Sequence, residues 1–236
     1  EQNHAGTHGG GLALLSGTYG LQMKGGRFAN NRAVMEGGGA YIANNGLDGG
    51  FESGNELMFE GCDFFSNQAS KGGGLYLDVE NKVAVTGSLF LLNSANESGG
   101  AVCLRESNSL SLSACTLSMN TARAGGGLAA SARNTVYMQH STVAYNTALQ
   151  YGGGILADDS MQLHFQGDNS ISDNSAGEVG GGLLLCSSPL WSVNGSVLFQ
   201  GNRAKRGSAV YLKASLHTSE SLHHVSFLDN NASVGG

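Results

Sequence analysis

Several things are scarce in this chain. Pro189 is its only proline in 236 residues. Charged residues make up 13%, against about 25% in an average soluble domain. No run of apolar residues approaches the ~20 of a membrane-spanning helix, and no signal peptide opens the chain. The four cysteines, Cys62, Cys103, Cys115 and Cys186, contain no C-x-x-C pair. No stretch has the 3.6-residue apolar period or the capping box of a helix. Cations are too few for a nucleic-acid surface, and the net charge is −6. Glycine does not recur at every third residue, which excludes collagen. Apolar residues make up 40%, which excludes a disordered chain.

What is abundant is glycine, 38 residues, and it is clustered. A glycine-led segment starts at residues 9, 37, 72, 99, 125, 152, 180 and 207, at intervals of 28, 35, 27, 26, 27, 28 and 27. It reads GGGLAL, GGGAYI, GGGLYL, GGAVCL, GGGLAA, GGGILA, GGGLLL and GSAVYL. A second motif places an apolar residue three before an Asn and an Ala two after it. Its asparagines are Asn31, Asn67, Asn93, Asn120, Asn146, Asn174, Asn202 and Asn230. The one long interval contains NNGLDGGFESGN, read as a loop insertion over residues 44–55.

Within a repeat the apolar period is two. A further strand-like run precedes each Asn motif, as in LQM (21–23), LMF (57–59) and VAV (83–85). The expectation is three extended pieces per repeat and an all-β fold: a parallel β-helix of about eight rungs. Such a rod would be roughly 40 Å long at the ~4.8 Å strand spacing. Glycine would serve a cramped corner, partly left-handed, where stacked rungs leave no room for Cβ atoms. Ala101 and Ala209 are the smallest substitutes for its third residue. The eight asparagines would form a second corner with stacked, hydrogen-bonded side chains. A leucine-rich repeat shares the period but explains neither the glycine-led strand nor the missing helical segment.

The pairing of a G-G-A-[ILV] segment with F-x-x-N resembles the repeat of chlamydial polymorphic outer membrane proteins. FLLNSANESGGAVCL (90–104) is the nearest copy. The resemblance covers the whole chain and implies a single-stranded right-handed parallel β-helix in a secreted or surface-displayed protein. In bacteria such proteins are autotransporter passengers used in adhesion. This chain prefers GGG-[LIA] and shows no autotransporter barrel, so that transport route is not carried over. A surface filament protein stays open. Residues 1–236 read as one continuous β-helix segment, uncapped at both ends and part of a larger chain, since residues 234–236 (VGG) begin a further repeat.

Sites of chemistry are sparse. Four residues after the third glycine stand Asp78, Arg105 and Asp158, with Ala43, Ser131, Cys186 and Lys213 in other rungs. Asp78 and Asp158 would lie three rungs apart, too far for joint acid–base work. Asp158-Asp159 reads as a solvated turn, and the Arg203, Lys205, Arg206 cluster as a solvated corner. His4-x-x-x-His8 and His223-His224 lack further ligands, so no metal, cofactor or catalytic residue is expected. Cys62 and Cys115 share a repeat position two rungs apart. Buried free thiols are expected, with a Cys103–Cys115 bridge the alternative. The sequons Asn96, Asn194 and Asn231 are glycosylation candidates, with Asn194 placed in a loop.

The outward position of the glycine-led strand, two after the third glycine, reads Ala13, Tyr41, Tyr76, Cys103, Ala129, Leu156, Leu184 and Tyr211. On the second strand the middle residues Gln22, Ser111, His164 and Ser192 are polar. An uninterrupted apolar stripe marks an interaction surface or a harmless exposed strip. Tyr41, Tyr76, Leu156, Leu184 and Tyr211 are therefore the candidate partner-binding residues. The functional expectation is a non-enzymatic extracellular or cell-surface scaffold for adhesion or filament assembly. Its partners would be other chains, other parts of a large protein, or glycans. The alternative is a carbohydrate-active or glycan-binding β-helix of the pectate-lyase type, with Tyr41 and Tyr76 stacking on sugar rings.

Overall fold

A computed structural model describes residues 1–15, 19–44, 55–159, 161–187, 190–213 and 224–233. The interior of the insertion (45–54), His223 and residues 234–236 lie outside the described residues.

Thirty strands and no helix occur among the described residues, and all paired strands run parallel. One rung illustrates the rest. Its strands are Val102–Glu106, Ser109–Ser113, Thr116–Ser118 and Thr121–Ala124. Each pairs with its counterpart one repeat later, as in Val102↔Leu128, Ser109↔Thr135, Thr116↔Thr142 and Thr121↔Thr147. Each rung whose residues are all described therefore has four extended pieces where the sequence suggests three. The additional one is the short segment after the Asn. In two rungs the bend between the second and third pieces is straightened into the long strands Gln162–Ser172 and Leu190–Gln200. This fuses the second and third pieces of all rungs into one sheet, so the solenoid has three sheets.

The glycine corners form a single spine. Gly38, Gly73, Gly100, Gly126, Gly153 and Gly181 each donate a backbone N–H to the first glycine of the next corner. The first glycine of each corner has a left-handed φ, for example +61° at Gly72. At the second, a Cβ on Gly73 would lie 2.5 Å from Gly100 O. No side chain fits at Gly73, because the neighbouring rung's carbonyl occupies the space, and a side chain, that of Ser208, stands at the second position only in the last of the eight corners. The third position is looser, and Ala101 fills it fully buried.

The asparagine corner is a ladder. Asn67 donates its backbone N–H and its Nδ2–H to Oδ1 of Asn93, at 3.0 and 2.9 Å, and Nδ2 also donates to Phe28 O. The pattern repeats through Asn31, Asn93, Asn120, Asn146, Asn174 and Asn202 to Asn230. Asn3 extends it to a ninth member. Each buried amide thus satisfies its neighbour, which removes the penalty for burying it. The left-handed residue is not the Asn but the one before it, such as Ser66 (φ 55°) or Asp173 (φ 53°).

Inside, like stacks on like. Phe28, Phe64 and Phe90 form a parallel stack with ring centroids 4.6 and 4.5 Å apart. The other interior rows are Leu, Val, Ile, Phe and Met from all three sheets. All four cysteines are free. Cys62 and Cys115 alternate with Ser88 and Ser141 in one column, where each serine hydroxyl accepts the preceding cysteine's N–H. Cys115 faces inward there, while Cys103 lies on the other side of a strand beside Ser98, so the alternative bridge does not form.

Candidate functional site

The predicted apolar stripe is real as a row but not as an exposed patch. Its members pair in register: Tyr41↔Tyr76↔Cys103↔Ala129↔Leu156↔Leu184↔Tyr211. Yet Tyr41 is only 6% exposed, Tyr76 4%, Cys103 6% and Leu184 3%. Leu156 and Tyr211 are half-buried, and Ala13 alone is exposed. The cause is the glycine corner. The chain turns back so tightly that a Cβ on Gly72, Gly99 or Gly180 would lie 2.6–2.9 Å from the Cβ of Tyr76, Cys103 or Leu184. The row is therefore the floor of a groove.

Two further rows form its walls. One is the residue before each corner: His8, Glu36, Lys71, Ser98, Ala124, Tyr151, Val179 and Arg206, where bridges link Glu36 to Lys71 and Tyr151 to Val179 to Arg206. The other is the row with Asp78, Arg105, Asp158, Cys186 and Lys213. The motif is thus wall, three-residue corner, core, floor, core, wall. The pre-glycine wall escaped the sequence reading because its residue types vary, although its fixed place before the corner marks it.

The groove differs at its two ends. In the first, a cavity of about 470 Å³ has Tyr41 and Tyr76 on the floor and His8, Glu36, Lys71, Asp78 and Arg105 on the walls. His8 stacks on Tyr41 at 4.5 Å, and Tyr41 on Tyr76 at 5.6 Å. Charges here are paired: Arg105 with Asp78 at 2.8 Å, Lys71 with Glu97 at 3.5 Å. His8 Nδ1 is 2.6 Å from Glu36 Oε2 but not aligned as a hydrogen bond, so this contact is an ion pair only when the ring is protonated. Burial, then the Asp78 and Glu36 carboxylates, push the Tyr41 phenol up to about 12, and burial pushes Tyr76 up as well. The Tyr41 hydroxyl donates to Asp78 at 3.4 Å. Because the tyrosines face each other and are covered, their ring faces are not open platforms for sugar stacking.

At the other end a cavity of about 460 Å³ spans three rungs. Its floor is Leu156, Leu184 and Tyr211, with Tyr151, Val179 and Arg206 on one side and Asp158, Cys186 and Lys213 on the other. Arg206, expected to be a solvated corner residue, lies over the Tyr211 ring at 5.9 Å. Lys205, by contrast, points away to Glu178. In the middle the floor is made by the small buried residues Cys103 and Ala129.

Other expected sites are placed as follows. Asp159 donates its N–H to the Asp158 carboxylate, a turn as expected. His4 is exposed while His8 lies against Tyr41, so the two do not converge. No group of three His, Cys, Asp or Glu able to hold a metal occurs among the described residues. Asn96, Asn194 and Asn231 are all exposed, but Asn194 sits within the strand Leu190–Gln200 and not in a loop. The outward row of the second strand is less polar than expected, since Met58, Ala84 and Tyr137 share it with Gln22, Ser111, His164 and Ser192.

Two features were missed. Asn55, Asn81, Asn108 and Asn134 form a second buried amide ladder before the second strand. Their common place one residue ahead of ELMF, KVAV, SLSL and TVYM was the available signal. At the Asn corner, Leu92, Met119 and Tyr145 stand on consecutive rungs, 45–56% exposed, with left-handed φ of 55–59°. Other rungs use Asn30, Ser66, Asp173, Gly201 and Asp229 there.

A family described as "Right handed beta helix region" matches residues 11–232. No curated protein and no solved structure matches the chain.

Proposed function

The chain belongs to the right-handed β-helix family, and on that premise we propose that it is a non-enzymatic extracellular scaffold. In this reading the rod is a rigid spacer, and the lateral groove engages other protein chains or other parts of a large surface protein in adhesion or filament assembly. One observation carries the reading: at the far end of the groove the floor residues Leu156 and Tyr211 stay only half-buried over a cavity of about 460 Å³, an apolar surface that the chain itself leaves partly uncovered. The repeat's likeness to that of the chlamydial polymorphic outer membrane proteins supports the surface location. The exposed sequons at Asn96, Asn194 and Asn231 are compatible with a glycosylated surface protein. The fold serves polysaccharide lyases too, but those need clustered carboxylates. Here Asp78 and Asp158 stand three rungs apart, about 14 Å at the strand spacing, and the two carboxylates that do share a cavity, Glu36 and Asp78, lie against His8 and Arg105.

The test uses the full-length protein. Leu156→Ser and Tyr211→Ser, both half-buried and so tolerable to the fold, are expected to impair assembly measured by sedimentation velocity and adhesion to its native surface. Unchanged assembly, adhesion and solubility, with folding verified by circular dichroism, would remove the groove from the reading.

A second reading draws on the polar end of the groove. The Tyr76 hydroxyl has no hydrogen bond among the described residues, and it faces a cavity walled by Glu36, Lys71, Asp78 and Arg105. Such a mixture of donors and acceptors suits a neutral polyhydroxylated ligand. A glycan screen with a polysaccharide-cleavage assay separates the two: saturable binding that Tyr76→Phe weakens favours the glycan reading.

A further inference from the structure

The far end of the groove carries a charge pattern that the near end lacks. Near Tyr41 and Tyr76, cations and carboxylates pair with each other across rungs. Around Leu156, Leu184 and Tyr211, two cations, Arg206 and Lys213, stand on opposite walls of the same rung. Neither has an ion pair among the described residues, whereas their neighbour Lys205 is neutralised by Glu178. Asp158 is the one carboxylate of this cavity. It stands two rungs away, about 10 Å at the ~4.8 Å strand spacing, beyond direct contact with either cation.

The result is an apolar basin of about 460 Å³ with a positive end and a negative end. That volume falls within the range of small-molecule pockets, about 300–1,000 Å³. The basin has an apolar floor of two leucines, tyrosine rings at both ends, and a guanidinium already over one of them. Two unpaired cations lining one basin attract a carboxylate, which a planar guanidinium such as that of Arg206 can hold bidentately and an ammonium such as that of Lys213 as a point charge.

We propose that this end of the groove binds an aromatic monocarboxylate, with its carboxylate between Arg206 and Lys213 and its ring over Leu156 and Leu184. The proposal rests on the groove being an interaction surface, but it is read by a different experiment. A failed titration beside impaired assembly of the Leu156→Ser protein removes only the ligand class. A successful titration beside unimpaired assembly removes only the assembly role.

The probe is 2-naphthoate, titrated into the full chain by calorimetry, with the uncharged 2-naphthamide as its partner. Saturable binding of 2-naphthoate is expected, roughly five- to tenfold tighter than that of the amide, the ratio a charge-assisted contact supplies. Arg206→Gln with Lys213→Gln should bring the two probes to equal affinity. Both side chains are exposed, so the fold is undisturbed. Asp158→Asn should leave 2-naphthoate binding intact or strengthen it, because a repelling charge is removed. Cys186 is the one cysteine of the four that is not buried, and it lines this cavity. Its alkylation by iodoacetamide should slow when 2-naphthoate is present. Absence of saturable binding, equal affinity for acid and amide, indifference to the double substitution, or unprotected Cys186 would each overturn the assignment.

Discussion

At the scale of single residues, the fold depends on groups with no freedom to change. Asn120 accepts two hydrogen bonds through Oδ1 and donates two through Nδ2, all inside the rod. Asn120→Ala strands those partners, and each buried unsatisfied group costs about 1–3 kcal/mol. A marked fall in the urea midpoint is expected, with slower loss in distant rungs by hydrogen exchange. Glycines divide into two kinds. A Cβ on Gly126 would lie 2.4 Å from Gly153 O, so Gly126→Ala should cost about 3 kcal/mol or more, as overpacking of backbone against backbone does. Gly87 has open space around it and only a positive φ, so Gly87→Ala should cost about 1–2 kcal/mol. Equal losses from the two, measured by chemical denaturation, would contradict the stacked-carbonyl explanation.

At the scale of the element, the glycine-led strand and its corner make a groove out of what a flat strand would expose. That enclosure has a pH consequence. A phenol that ionises at 10 when unfolded but at about 12 beside Asp78 favours the folded state while it is neutral. The same holds for Cys103, which burial moves from 9 to about 11. The stability these groups contribute is complete below their unfolded values and lost as pH rises through the folded ones. Melting temperature should therefore decline between pH 9 and 12, and Tyr41→Phe should make the decline shallower. The Asn corner offers the opposite case. Leu92, Met119 and Tyr145 hold a left-handed backbone that Asn tolerates better. Replacing each by Asn should stabilise by roughly 0.5–1 kcal/mol, read from urea denaturation. Nothing in the fold explains why three bulky apolar residues occupy those corners.

At the scale of the whole molecule, stability is a sum over neighbouring rungs. Charges follow the same rule, since Lys82–Glu56, Lys24–Glu60 and Lys205–Glu178 each join adjacent rungs. Such surface pairs are worth little individually and serve mainly to hold register. Because no disulfide crosses the rungs, reducing agents should leave the melting curve unchanged. A drop on reduction would require a bridge that the four free thiols do not make.

The period, the all-β class and the stacking of like on like were legible in the sequence, because a solenoid places residue i beside its counterpart one repeat later. The Asn motif and the triple glycine announce this directly: each works only against its own copy. The second ladder at Asn55, Asn81, Asn108 and Asn134 was equally present but shorter, with Met161 taking the next position. Tertiary structure decided what faces solvent. Alternation assigns Tyr76 and Leu184 to an outward side, but it cannot say that the corner folds back over that side and makes it a floor. Nor can it say that Arg206, Tyr211 and Lys213 enclose one cavity. Sheet membership is set by local period, whereas concavity depends on the angle between sheets, and that angle is expressed only when the rungs close.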